Sequence, residues 1–128
     1  MDRESGARPT VLIVEDDVFL ANIFERMLKL VINMYSIVSV STAAEALAYC
    51  EEHAIKLVIT DYKLHPMNGI DLTRALKQTM PSVPVLMITG TDPADITDDV
   101  SAAGVDLMLH KPFLIVDFQT AVLAMLSA

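Results

Sequence analysis

The fold class this sequence predicts is an open, doubly wound sheet of parallel strands with helices on both faces. Short, unbroken apolar runs recur along the chain, at residues 11–14, 57–60, 85–88 and 107–109. Amphipathic or alanine-rich stretches of helical length separate them, and the connections between are short. Strands that read as solid apolar runs are those covered on both faces. Parallel neighbours need crossover helices, and right-handed crossovers place helices on both sides of the sheet.

Taken in order, residues 11–14 are the first strand, and Asp17 can cap the helix that follows. On that helix Leu20, Ile23, Phe24, Met27, Leu28 and Val31 recur at helical spacing. Residues 35–40 are rich in β-branched side chains and read as the second strand. Ser41 or Thr42 can cap the next helix, residues 43–52, whose alanines favour it. Residues 57–60 are the third strand. Asn68 and Gly69 break the chain before a helix over residues 70–80, with Ile70, Leu76 and Met80 on one side. Pro81 and Pro84 bracket a linker to the fourth strand, residues 85–88. Asp92 followed by Pro93 is a strong helix start, with Asp95 near the positive end of the helix dipole. Gly104 ends that helix as a left-handed C-cap. Residues 107–109 are the fifth strand, and Leu114, Phe118, Ala121, Val122 and Met125 mark a last amphipathic helix.

Composition sets outer bounds. A chain of 128 residues, 53% hydrophobic, is one globular domain's worth. Seventeen acidic against nine basic residues give a net charge of −8, which argues against a reader of phosphate backbones or anionic membranes. The single cysteine, Cys50, excludes an intramolecular disulfide and a cysteine-rich zinc site, and it fits a reducing, cytoplasmic setting. Residues 1–9 are charged and lack the apolar core of a signal peptide, and no apolar stretch approaches the length of a membrane span.

In a doubly wound sheet, ligands bind beyond the carboxyl ends of the strands. Glu15, Asp16 and Asp17 follow the first strand, Asp61 the third, Thr89 and Gly90 the fourth, and His110 and Lys111 the fifth. Two unit charges about 4 Å apart repel by roughly 4 kcal/mol at an effective dielectric near 20. Clustered carboxylates therefore either take up protons or bind a cation. Oxygen ligands alone select a hard divalent ion, and magnesium suits a few carboxylates with waters and a phosphoryl oxygen. A cation, a hydroxyl and a lysine are the equipment of phosphoryl transfer, and an aspartate projecting from a strand end is a covalent acceptor. Asp61 fits that part, with Thr89 and Lys111 beside it.

These residues carry a family resemblance. Val11-Leu-Ile-Val-Glu-Asp-Asp17, Leu57-Val-Ile-Thr-Asp-Tyr-Lys-Leu-His-Pro-Met-Asn-Gly69, Pro84-Val-Leu-Met-Ile-Thr-Gly90 and Ala103-Gly-Val-Asp-Leu-Met-Leu-His-Lys-Pro-Phe113 stand in order at the right strand ends. Together they resemble a response-regulator receiver domain of two-component signalling, over residues 9–128 after an N-terminal extension of residues 1–8. The resemblance implies the receiver strand order 2-1-3-4-5 with five flanking helices. It implies that Asp61 accepts a phosphoryl group from a histidine kinase or histidine phosphotransfer protein. Asp16 would bind Mg²⁺ directly, Glu15 mainly through metal-bound water, and Lys63 through its backbone carbonyl. Thr89 and Lys111 would contact the phosphoryl group. Such a domain promotes its own phosphorylation and dephosphorylation and is not a turnover enzyme. Its output is expected through a partner or a missing effector domain, and its fourth and fifth helices are the family's common dimer face.

Two positions depart from the family pattern. Pro66 stands one residue later than usual, with His65 in its place, while Gly69 keeps its distance from Asp61. Met108 occupies a position where many members carry the Tyr or Phe that swings inward on phosphorylation, so a muted or differently relayed switch is expected. His53 and His110 read as structural, and His65 as a solvated loop residue. Cys50 has no basic sequence neighbour to activate it. Asp95, Asp98 and Asp99 form either a solvated helix face or an acidic partner surface. The alternative to a phosphoacceptor is a receiver-fold interaction module that works without phosphorylation. A magnesium-dependent phosphatase ranks lower, because Lys63 stands where that class wants a second acid, and a dinucleotide or nucleotide binder lower still, because no phosphate-cradling glycine motif is present.

Overall fold

The computed structural model describes residues 8–90 and 93–127, without the side chains of 93–95 and 97. Five strands alternate with five helices: β1 Thr10–Val14, α1 Val18–Lys29, β2 Ser36–Val40, α2 Ala43–Glu52, β3 Ile55–Asp61, α3 Gly69–Thr79, β4 Val85–Thr89, α4 Pro93–Ala103, β5 Leu107–His110 and α5 Ile115–Ser127. All strand pairs are parallel, in the order β2-β1-β3-β4-β5. The expected class and strand order are both present.

Strand side chains alternate between faces, and the apolar runs use both. Val11 and Ile13 of β1 join Leu57 and Ile59 of β3 and Leu86 and Ile88 of β4 in one core, closed by Phe24 and Leu28 of α1 and Phe118, Val122 and Leu126 of α5. Leu12, Val14, Val58 and Val85 face the other way, onto Ala43 and Ala46 of α2 and Leu72 and Leu76 of α3. A third, smaller cluster joins Ile70, Met87, Ile96, Val100 and Ala103, with Tyr62, Val105 and Met108 packed against it.

The caps follow the sequence signals. Asp17 accepts from the Leu20 N–H at 3.2 Å. Thr42, rather than Ser41, caps α2, in a reciprocal capping box with Glu45. Asn68 caps α3 by accepting from the Asp71 N–H at 2.9 Å. Gly104 has φ +97°, and the Val105→Val100 and Gly104→Ser101 backbone bonds, both 3.2 Å, complete a Schellman turn after α4. The proposed Asp92 cap and the Asp95 side chain lie outside the described residues. At the amino ends of β4 and β5, one Asp106 carboxylate oxygen accepts from the Val85 N–H at 2.8 Å and from Lys77 Nζ at 3.0 Å.

Three expectations need correction. Val31 falls beyond α1, which stops at Lys29. Leu114 precedes α5 and is 66% exposed, its carbonyl accepting from the Asp117 and Phe118 N–H groups; the apolar stripe of α5 begins at Phe118. β5 is not a doubly covered strand: as a sheet edge it leaves Leu107 40% exposed, and the other edge strand, β2, is only half-buried. No helix among the described residues is long and apolar enough to cross a membrane.

Candidate functional site

The carboxyl ends of β1, β3, β4 and β5 meet at one edge, and the ladder fixes which residues arrive there. Asp61 pairs with Ile88, and Thr89 with His110. One residue further, the Lys111 N–H donates to the Thr89 carbonyl at 2.7 Å, so the turn after β5 is tied to the end of β4. On the other side the Glu15 N–H donates to the Val40 carbonyl at 3.0 Å, which holds the acids after β1 in place.

Glu15, Asp16 and Asp61 come together, with one carboxylate oxygen from each lying within 4.8 Å of the others. Glu15 is 3% exposed, Asp61 half-buried and Asp16 exposed. Lys111 Nζ lies 3.7 Å from Asp61 Oδ2. Thr89 is fully buried. The Lys63 side chain is exposed, and its backbone N–H donates towards the Asp61 carboxylate. The Lys111–Pro112 and His65–Pro66 peptides are both cis. His65 and His110 are exposed, whereas the His53 ring stacks on Tyr49 with centroids 3.7 Å apart. Burial pushes the Cys50 thiol up to about 11, so it is inert at neutral pH. Asp98 and Asp99 are exposed.

The electrostatics are those of a site short of positive charge. Burial raises the Glu15 carboxyl to about 7; the Asp17 N–H and Lys111 work against this, while Asp61 and Asp16 add to it. Burial also raises Asp61, against the pull of Lys111 and the Lys63 N–H. One Glu15 oxygen accepts from the Asp17 N–H at 3.2 Å. The other, Oε1, is buried with no hydrogen-bond partner among the described residues. An orphaned buried oxygen on a carboxylate clustered with two others is a poor arrangement for a bare protein and a good one for a hard cation. The donor set therefore fits a divalent metal.

Three positioning features escaped the sequence reading. Leu64, 2% exposed, drops out of the β3–α3 loop into the α2–α3 core and anchors the residues after Asp61. Its signal was a leucine amid polar neighbours. Tyr62 packs its ring into the third cluster. Gly69 donates its N–H to the Tyr62 carbonyl at 2.9 Å, and a Cβ there would collide with the Asp61 carbonyl oxygen and press on Met87 and Tyr62. Gly69→Ala is expected to cost about 1–3 kcal/mol despite alanine's better helix propensity. Denaturant titration checks this, and an alanine variant as stable as the native chain would contradict the close approach.

Comparison with known proteins agrees with this geometry. The family described as "Response regulator receiver domain" matches residues 11–123. The heme response regulator HssR of Staphylococcus saprophyticus is 30% identical over 119 residues, which cover 92% of this chain and 51% of that protein. The receiver domain of a putative LuxO repressor protein from Vibrio parahaemolyticus superposes with a TM-score of 0.84 at 29% identity, over 94% of this chain and 91% of that one. Chemotaxis response regulator CheY4 of Vibrio cholerae, at 22% identity, shares the fold with a TM-score of 0.83 over 93% and 99% of the two chains. The chain spans about half the length of the first curated relatives it matches. With a parallel sheet in this order and acids and a lysine at its carboxyl edge, the chain belongs to the response-regulator receiver domains of two-component signalling.

Proposed function

We propose that Asp61 takes a phosphoryl group from a phosphohistidine on a histidine kinase or histidine phosphotransfer protein, with Mg²⁺ held by Glu15, Asp16, Asp61 and the Lys63 carbonyl. The observation that carries this reading is the cluster of three carboxylates within 4.8 Å, with Lys111 3.7 Å from Asp61. An Asp61 oxygen attacks phosphorus as the phosphorus–nitrogen bond breaks. The bonding pair stays on the imidazole, which leaves neutral because its other ring nitrogen carries a proton. The product is an acyl phosphate. Bound magnesium supplies charge neutralisation on the phosphoryl oxygens. Lys111 adds a second positive charge, and the Thr89 hydroxyl donates to one phosphoryl oxygen. Water then cleaves the acyl phosphate to phosphate and the free carboxylate. The chain is restored rather than turning over an external substrate.

The donor-facing surface is apolar. Val18 and Phe19 open α1 and Leu114, Ile115 and Val116 lead into α5, all more than half exposed, with Phe24, Phe113 and Phe118 joining the two helices beneath. That suits docking of an apolar helical face beside Asp61. The functional unit on this reading is residues 9–128, with residues 1–8 as an extension, working in the cytoplasm. Output passes through a partner or an effector domain, either from one chain or from a pair joined through α4 and α5. Incubation with phosphoramidate and Mg²⁺ is expected to add one phosphoryl group by intact mass, and none in the presence of a chelator. Unchanged labelling of Asp61→Ala would overturn the assignment.

A further inference from the structure

Among the residues of the third cluster, Tyr62 holds a particular place. Its backbone directly follows Asp61, and its N–H donates to the Ile88 carbonyl at 2.8 Å, alongside the Asp61–Ile88 pairing. Its carbonyl accepts from Gly69, the first residue of α3. Its side chain, half-buried, packs against the cluster that Ile96, Val100 and Ala103 of α4 form with Ile70 and Met87. The backbone that adjoins Asp61 and a side chain of the cluster that seats α4 thus belong to one residue. Met108 approaches the same cluster from β5, paired with Met87. It is an unbranched thioether whose rotatable bonds absorb displacement, whereas an aromatic ring with two side-chain torsions transmits it.

We infer that Tyr62 is the positioning residue through which the state of Asp61 reaches α4, and that the Met108 side chain is packing rather than relay. The inference rests on Asp61 being the phosphoacceptor. A change of charge and bonding at the Asp61 carboxylate is felt by the adjoining peptide, which Gly69 and Ile88 restrain on both sides. The freedom left is that of the Tyr62 ring against the cluster it shares with α4. A bistable α4 packing is then biased through ring contact.

The test compares the native chain with Tyr62→Leu, Tyr62→Phe and Met108→Leu. Each is treated with phosphoramidate and Mg²⁺. The amide shifts of residues 98–105 on phosphorylation are then measured by NMR and normalised to the phosphorylated fraction from intact mass. The leucine variant of Tyr62 is expected to reduce the normalised response at least threefold. The phenylalanine variant, which keeps the ring, and Met108→Leu are expected to retain it. A full response in Tyr62→Leu, an equal loss in Tyr62→Leu and Met108→Leu, or a loss in Met108→Leu alone would overturn the inference. Absence of labelling in the native chain would instead sink the phosphoacceptor reading. If Tyr62→Leu fails to fold, a reduced response in Tyr62→Phe would overturn the ring's role, and a retained one supports it.

Discussion

Glu15→Gln is expected to melt higher than the native chain at pH 8 in the presence of a chelator. Glu15 is buried, and its carboxyl is raised from 4.5 to about 7 in the folded state, chiefly by that burial. A carboxyl raised in the folded state binds its proton more tightly there than in the unfolded chain. Its contribution is favourable below the unfolded value and is lost as pH rises through the folded one. The metal-free native chain should therefore lose stability between about pH 4.5 and 7, by at most about 3 kcal/mol at 1.36 kcal/mol per pH unit. Glutamine keeps the shape and is never ionised, so the part of the slope that Glu15 contributes disappears. The gap between the two proteins should be on the order of 5–10 °C in Tm at pH 8 and close to nil near pH 4. Mg²⁺ at about 1,000 times its Kd reverses the order, because it adds roughly 4.1 kcal/mol to the chain that binds it. Scanning calorimetry at both pH values, with and without Mg²⁺, checks this. Equal melting of the two proteins at pH 8 without metal would mean that burial imposes no such penalty.

Phe118→Ala is the largest destabilisation expected. The ring is fully buried, with centroids 5.3 Å from Phe24 and 5.7 Å from Phe113. Truncating a buried phenylalanine costs about 3–5 kcal/mol, a large share of a total that is typically about 5–15. Phe113 lies two residues beyond Lys111, so the void opens directly beneath the turn that presents the ammonium to Asp61. Urea unfolding should show the loss, while Phe118→Leu, which keeps most of the volume, should cost less than about 1.5 kcal/mol. A cost below about 1 kcal/mol for the alanine variant would mean that α5 is not held by this trio.

Much of this was legible before any coordinates. The central strands, buried on both faces, betray themselves as solid apolar runs, and the acids, the threonine and the lysine follow from asking what comes after each run. The caps at Asp17, Thr42 and Gly104 are local chemistry and therefore readable locally. The errors fall where burial depends on tertiary neighbours. Leu114 has the spacing of a core residue but sits before the first turn of α5, and Leu107 belongs to an edge. The third cluster was missed because Ile96, Val100 and Ala103 make a thin stripe among polar residues. Gly69 could be placed from sequence, but not its contact with the Asp61 carbonyl, which depends on the path of a loop carrying Pro66 one position late.

The sheet also partitions the molecule energetically. Val11 and Ile13 look towards α1 and α5, Leu12 and Val14 towards α2 and α3, and the β1 backbone stands between them. Voids or strain on one face have no shared side-chain neighbours through which to couple to the other, so their costs should sum rather than compound. Variation in the layer beneath α2 and α3 can therefore accumulate, up to a tolerable total, without disturbing the aromatic packing under Lys111. One chain in effect carries two separately mutable interiors, and the site sits on the rim they share.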